Sequence, residues 1–141
     1  VSLGLPPEDA QTVGHLMAEA DMQGSDGHGV IRLVPYAKRI LAGGMNLKPN
    51  IRVVQERTAM ALIDGDNGMG HLVMKRATEL AIQKAKSSGI AWVGSRQSNH
   101  AGPASLYARM ALQHGVGFVR GMFIVVVSAL ICKTSYDAFL R

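Results

Sequence analysis

The chain has 141 residues, of which 48% are hydrophobic and 18% are charged, a balance that predicts one globular domain and argues against intrinsic disorder. One cysteine, Cys132, rules out an internal disulfide framework, and five scattered histidines offer no recognised zinc-ligand spacing, so we expect no metal. The net charge of +5 permits anionic partners but does not select among them.

Two helices are predicted in the first third of the chain. The first begins at residues 6–7, where prolines fit a first turn, and is closed by Gly24. The second covers Leu33–Leu41, with Pro35 in its first turn. The first helix has an apolar face at the i, i+3, i+4, i+7 spacing, which consists of Val13, Leu16, Met17 and Ala20.

The middle of the chain alternates between extended and helical patterns. Residues 51–55 and 59–63 predict a β-hairpin, and residues 64–70 predict a loop rich in Asp, Asn and Gly. A long amphipathic helix follows from about residue 69 to residue 87. Its basic residues are expected to form a solvated face, and these are Lys75, Arg76, Lys84 and Lys86.

The last predicted elements are a strand at residues 90–93, a polar hinge, a helix through residues 106–111 and a strand at residues 116–119. The order of elements predicts a mixed α/β fold without an internal repeat. The longest apolar run, residues 121–132, is shorter than the roughly 20 residues that span a bilayer, so no membrane association is expected.

The segment GSDGHGVIRLVPY, residues 24–36, is the first candidate site. His28, Arg32 and Tyr36 are four residues apart and would project from one side of a helix. An imidazole, a guanidinium and a phenol together suit a small substrate that carries a carboxylate. The alternative is that His28 caps a turn, Arg32 is solvated and Tyr36 packs in the core.

The hinge Ser98-Asn99-His100-Ala101-Gly102 is the second candidate site, because it joins a strand to a helix. Such a turn presents backbone N–H groups to an anion, and His100 could act there as a general acid or base. The alternative is that Ser98 or Asn99 caps the helix while His100 faces solvent.

Other motifs are weaker. The loop DGDNGMG lacks the glutamate that a calcium loop needs at its twelfth position, where Lys75 stands, and it is not a dinucleotide fingerprint. The basic helix carries no aromatic residue, so we expect no nucleic-acid partner.

Two ordered segments resemble the malate/L-lactate dehydrogenase family of NAD(P)-dependent oxidoreductases. These are LMAEADMQGSDGHGVIRLVPYAKRILAGG, residues 16–44, and ALIDGDNGMGHLVMKRATELAIQKAKSSGIAWVGSRQSNHAGPASLYARMALQHGVGFV, residues 61–119. The resemblance implies a mixed α/β fold distinct from the Rossmann fold, and a homodimer in the cytoplasm. It also implies hydride transfer between NAD or NADP and the α-carbon of a 2-oxo or 2-hydroxy acid.

The same resemblance implies roles for individual residues. His28 and Arg32 match positions that meet the substrate, with Arg32 as the carboxylate clamp. His100 matches a histidine expected to act as acid or base at the substrate oxygen, and members of the family differ over which of the two histidines carries that proton. Tyr36, by its chemistry and spacing rather than by the resemblance, would add a hydrogen bond to the carboxylate. The turn that would line the cofactor pocket contains Asn99, His100, Ala101, Gly102 and Ala104. One departure is Gly27, which stands where the family commonly has serine.

The resemblance predicts a boundary near residue 119, with the N-terminal portion of a dehydrogenase domain at residues 1–119 and an atypical apolar tail at residues 120–141. We therefore expect a truncated member of the family with weak or no turnover by itself. The alternative is a non-catalytic fragment that binds an anionic ligand or dimerises with a full-length relative.

Overall fold

The computed structural model describes residues 3–114, so the predicted strand at residues 116–119 and the predicted tail at residues 120–141 lie outside it. The helices are α1 (Pro7–Met22), α2 (Leu33–Leu41), α3 (Gly70–Ser88) and α4 (Ala104–Leu112). Two 3₁₀ turns, Asp26–His28 and Val30–Arg32, connect α1 to α2. The strands are β1 (Arg52–Glu56), β2 (Met60–Gly68) and β3 (Trp92–Ser98).

The three strands form one sheet in the order β1-β2-β3. The predicted hairpin is confirmed, because β1 pairs antiparallel with β2. β2 and β3 are parallel, and α3 provides the crossover that a parallel pair requires. The mixed α/β class predicted from the order of elements is thus what the described residues form.

The main core lies between α3 and the sheet. Small residues of α3 such as Ala77 and Ala81 let the helix approach β2 and β3, where Ile63 and Val93 have no exposed surface. The helix ends at Gly89, whose φ of +76° is the left-handed C-terminal conformation that glycine adopts without a Cβ penalty.

The predicted apolar face of α1 is confirmed, and it divides between two further clusters. Val13 and Met17 pack with Tyr36 of α2, whereas Leu16 and Ala20 pack with Leu106 and the neighbouring residues of α4. The first turn of α1 contains a proline and two acidic residues, which favour its N-terminus. Both clusters therefore pack on α1.

The predicted loop at residues 64–70 is wrong, because β2 continues to Gly68 and α3 starts two residues later. Asp66 and Asn67 have φ values of +50° and +56°, and they lie where the β2–β3 register shifts between Asp64 and Gly68. The residues that tolerate left-handed backbone therefore form a bulge inside the strand rather than a loop after it.

Two other expectations also need correction. The strand predicted at residues 90–93 instead runs from Trp92 to Ser98. The predicted solvated face of α3 does not include Lys84, which is 9% exposed and forms a 2.7 Å ion pair with Glu56 while donating to the carbonyl of Arg57.

Candidate active site

The turn that carries His100 is fixed by contacts with the end of β2 and the start of α3. Asn99 is buried, and its amide nitrogen donates to the carbonyls of Asn67 and Gly68, both at 2.9 Å. Gly70, the first residue of α3, lies against the turn so closely that a Cβ there would be 2.1 Å from the carbonyl oxygen of Asn99. The β2 bulge and the start of α3 therefore set the position of His100.

His100 receives two hydrogen bonds on the same ring nitrogen. The Tyr36 hydroxyl is 2.6 Å from Nδ1, and the backbone N–H of Gly102 donates to Nδ1 at 3.4 Å. An amide N–H can only donate, so Nδ1 is an acceptor and the Tyr36 hydroxyl also donates to it. Neutral His100 consequently carries its proton on Nε2.

The electrostatic surroundings favour this neutral form. Burial lowers the pKa of His100 below its ordinary value, and the neighbouring Arg32 and His28 lower it further. The His28 ring stacks on the His100 ring with a centroid separation of 5.4 Å and an interplanar angle of 20°. Burial also raises the pKa of Tyr36 to about 12, so its hydroxyl remains a proton donor. His100 is therefore a neutral hydrogen-bond donor through Nε2.

Arg32 supplies the positive charge of the cluster. It is half-buried, and its Nε donates to the carbonyl of Gly27 at 2.8 Å. None of the ion pairs formed within residues 3–114 includes Arg32. A half-buried guanidinium with no carboxylate partner in this part of the chain suits an anionic ligand.

The single helical face predicted for His28, Arg32 and Tyr36 is wrong. Two 3₁₀ turns meet at Gly29, where a Cβ would lie 1.7 Å from a carboxylate oxygen of Asp21, and the helix α2 starts only at Leu33. His28 and Tyr36 nevertheless both reach His100, because α2 and the first 3₁₀ turn lie beside the hinge. The structure brings together the four residues predicted to act on the substrate.

The residues predicted to bind a cofactor differ from one another in their surroundings. The amide nitrogen of Asn99 is engaged by the β2 bulge, and the carbonyl of Ala101 accepts a hydrogen bond from the buried Tyr107. Gly102 has a φ of +76°, and Ala104 is exposed at the start of α4. Their role in cofactor binding stays a prediction.

Sequence reasoning did not identify His71. This residue has no exposed surface, and neither ring nitrogen has a hydrogen-bond partner within residues 3–114. Its ring meets that of Tyr36 edge-to-face at a centroid distance of 5.8 Å. His71 directly follows the glycine that starts α3, and its position among the apolar residues of that helix was the available signal.

The described residues give no indication of a metal site or a membrane span. Within residues 3–114, no three His, Cys, Asp or Glu side chains are grouped so that they could bind a metal ion. None of the helices in the same part of the chain has the length and apolarity that crossing a bilayer requires.

The chain is similar to dehydrogenases of known sequence. The malate dehydrogenase of Pyrococcus horikoshii is 49% identical over 114 residues, which is 81% of this chain and 32% of that protein. The L-sulfolactate dehydrogenase of Methanocaldococcus jannaschii is 42% identical over 77% of this chain. The ureidoglycolate dehydrogenase (NAD(+)) of Escherichia coli is 35% identical over 79% of this chain. The chain spans about a third of the length of these relatives.

Comparison with solved structures identifies the same kind of relatives. The P. horikoshii enzyme superposes with a TM-score of 0.77 over 79% of this chain and 32% of its own, and the M. jannaschii enzyme also reaches 0.77. The model of the family described as malate/L-lactate dehydrogenase matches residues 1–130. The fold of the described residues is thus that of the N-terminal portion of these enzymes, and the chain belongs to the malate/L-lactate dehydrogenase family.

Proposed function

We propose that this chain contributes the substrate-binding part of an oxidoreductase that interconverts a small 2-hydroxy acid and the corresponding 2-oxo acid with NAD or NADP. The observation that carries the proposal is the cluster of Arg32, His28 and His100, in which a proton donor lies beside a positive charge. The names of the relatives, which include malate and sulfolactate dehydrogenases, support the same chemical class.

The cluster matches the two polar groups of a 2-oxo acid. Arg32 binds the carboxylate, because a guanidinium offers two parallel N–H donors to its oxygens. The 2-oxo oxygen accepts a hydrogen bond from Nε2 of His100. The Tyr36 hydroxyl is directed at Nδ1, so in this arrangement it acts on His100 rather than on the carboxylate.

The proton balance of the reduction defines the protonation state in which His100 must start. Reduction of the 2-oxo acid adds a hydride to the α-carbon and a proton to the oxygen. If His100 supplies that proton and ends neutral, it starts with protons on both nitrogens, and Tyr36 then turns its hydroxyl to accept from Nδ1. A substrate carboxylate on Arg32 offsets the charge that lowers the pKa of His100, so substrate binding promotes proton uptake.

The hinge residues fit a nicotinamide ring next to His100. From Ala101 to Ala104 no side chain is larger than a proline ring, and Ala104 is exposed, so a flat ring can approach the backbone closely. When bound, the nicotinamide supplies or accepts the hydride. The chain's own contribution is to hold the substrate carboxylate, orient the oxygen and move the proton.

In this proposal the protein acts as a homodimer in the cytoplasm. An exposed apolar surface on and before α2, where Ile31 is 68% exposed and Val34 is 62% exposed, supports contact with a further part of the assembly. The competing function is a non-catalytic module that binds an anion without turnover.

The experiment is a chimera that separates these functions. Residues 3–114 replace the matching segment of the P. horikoshii malate dehydrogenase, with which they share close to half of their residues. We expect oxidation of NADH or NADPH with oxaloacetate. Arg32→Gln should lower kcat/KM by roughly 10- to 100-fold, because a hydrogen bond to a charged group contributes about 1.5–3 kcal/mol.

Two further variants provide the controls. Arg32→Lys keeps the charge without the paired donors and should fall between Arg32→Gln and the unsubstituted chimera. His15→Gln changes an exposed histidine of α1 and should leave the rate unchanged. A chimera that folds but shows no turnover, or that loses nothing with Arg32→Gln, contradicts the proposal.

A further inference from the structure

His71 lies directly under the hinge that carries His100. It is the second residue of α3, and its side chain is completely buried. A Cβ at Gly102 would lie 3.1 Å from Nε2 of His71, so this edge of the ring is in contact with the Gly102 backbone. Another part of the ring packs against Tyr36 at a centroid distance of 5.8 Å.

Tyr36 and Gly102, which both contact His71, are also the two residues that donate hydrogen bonds to His100. The Tyr36 hydroxyl and the Gly102 backbone N–H both point at Nδ1. One buried ring therefore supports both donors, although it forms no hydrogen bond with His100 itself. If the Gly102 N–H moves away, the Tyr36 hydroxyl can accept from Nδ1 as well as donate to it. Nδ1 is then no longer restricted to the role of acceptor, and the two neutral forms of the imidazole become closer in energy.

We propose that His71 is a positioning residue for His100: it holds Tyr36 and Gly102 on Nδ1 and so keeps the proton of neutral His100 on Nε2. The consequence for catalysis rests on the proposed function, because Nε2 is then the nitrogen that meets the substrate oxygen. The effect on His100 itself does not depend on any substrate or cofactor.

The charge state of His71 is compatible with this role. Burial lowers its pKa to about 4, and the nearby His100 contributes to the shift, so His71 is neutral near pH 7. The charged or titratable groups that act on His100 or contact it are Arg32, His28, Tyr36 and His71. A neutral ring at position 71 supports the hinge without adding a second positive charge beside Arg32.

The alternative is that His71 only fills space in the core. A leucine distinguishes the two readings, because it fills a similar volume and removes two buried nitrogens that have no partner within residues 3–114. If His71 is a filler, His71→Leu leaves His100 unchanged. If His71 positions the donors, the same variant alters the proton distribution on His100 even when the protein remains folded.

The test is NMR of the imidazole nitrogens in the 141-residue chain labelled with ¹⁵N-histidine. In the unsubstituted protein we expect Nδ1 of neutral His100 to show the shift of an unprotonated nitrogen and Nε2 that of a protonated one. In His71→Leu we expect the two shifts to move toward each other and the titration midpoint of His100 to rise. His71→Gln keeps a flat polar group and should retain most of the original pattern.

Ile63→Val is the matched control, because Ile63 is fully buried in the main core and its truncation loosens packing away from the hinge. Unchanged His100 shifts and midpoint in His71→Leu overturn the proposal, and so does an equal change in Ile63→Val. If His71→Leu does not fold, His71→Met is judged by the same criteria. Turnover plays no part in this readout, so its failure is distinct from failure of the chimera.

Discussion

Replacement of Gly102 by alanine tests whether the hinge is held as tightly as its contacts indicate. Gly102 has a φ of +76°, and an added Cβ would lie 3.1 Å from Nε2 of His71 and 3.3 Å from Cδ1 of Leu106. The left-handed backbone costs an L-residue about 1–2 kcal/mol, of which the stiffer unfolded chain returns about 0.4–1 kcal/mol. Crowding in a packed site adds about 1–3 kcal/mol.

Gly24→Ala is the matched control. Gly24 has a nearly equal φ of +73°, but a Cβ there would have nothing within 4 Å. The backbone term alone should lower the free energy of unfolding by about 1 kcal/mol in Gly24→Ala, whereas Gly102→Ala should lose about 2–4 kcal/mol.

Urea denaturation of the 141-residue chain measures both losses. The difference should appear in thermal unfolding as well, at roughly 3–6 °C per kcal/mol for a domain of this size. Equal losses in the two variants would refute the reasoning, since the packing of Gly102 on His71 and Leu106 would then carry no cost.

Three other predictions follow from the charges and hydrogen bonds. Tyr36→Phe removes a donor to Nδ1 of neutral His100, so the pKa of His100 should rise in an NMR titration; a fall would show that the hydroxyl accepts rather than donates. His71 has a folded pKa of about 4 against an ordinary 6.5. Its contribution to the free energy of unfolding should therefore be fully present above pH 6.5 and be lost toward pH 4, by about 3 kcal/mol in total. This contribution should be absent from the stability-pH profile of His71→Leu. If His71→Leu and the unsubstituted chain lose stability in parallel as the pH falls, the prediction is wrong. Glu56→Gln removes the partner of the largely buried Lys84 and should cost about 1–2 kcal/mol in urea denaturation, whereas a cost of zero would mean that the Arg57 carbonyl alone satisfies the ammonium.

The elements with a regular apolar pattern could be predicted from the sequence. Val13 and Leu16 mark the buried face of α1, and α3 has nearly the predicted bounds. The error at residues 64–70 has a physical reason, because Asp66 and Asn67 tolerate left-handed backbone equally well in a loop and in a bulge. The choice between loop and bulge depends on pairing with β3, and local composition gives no information about that pairing.

The predicted substrate residues share one cluster, but the geometry that brings them together was not predictable from spacing. His28 was placed on a helical face with Tyr36, whereas the chain breaks at Gly29 and the two residues converge only on His100. His71 was missed because its role depends on two contacts from distant segments, the Tyr36 ring and the Gly102 backbone. A single sequence shows which residues are present, but it does not show which distant residues come into contact.

The central claim is that Arg32, His28 and His100 form the binding site for a 2-oxo carboxylate. Titration of the ¹⁵N-histidine-labelled chain with oxamate, a stable 2-oxo acid analogue, tests it most directly. We predict saturable shifts of both His28 and His100, a rise in the pKa of His100 as the carboxylate offsets the charge of Arg32, and the loss of both effects in Arg32→Gln. Shifts that are equal in Arg32→Gln, or that spread to the exposed His15 in the same measure, would contradict the claim.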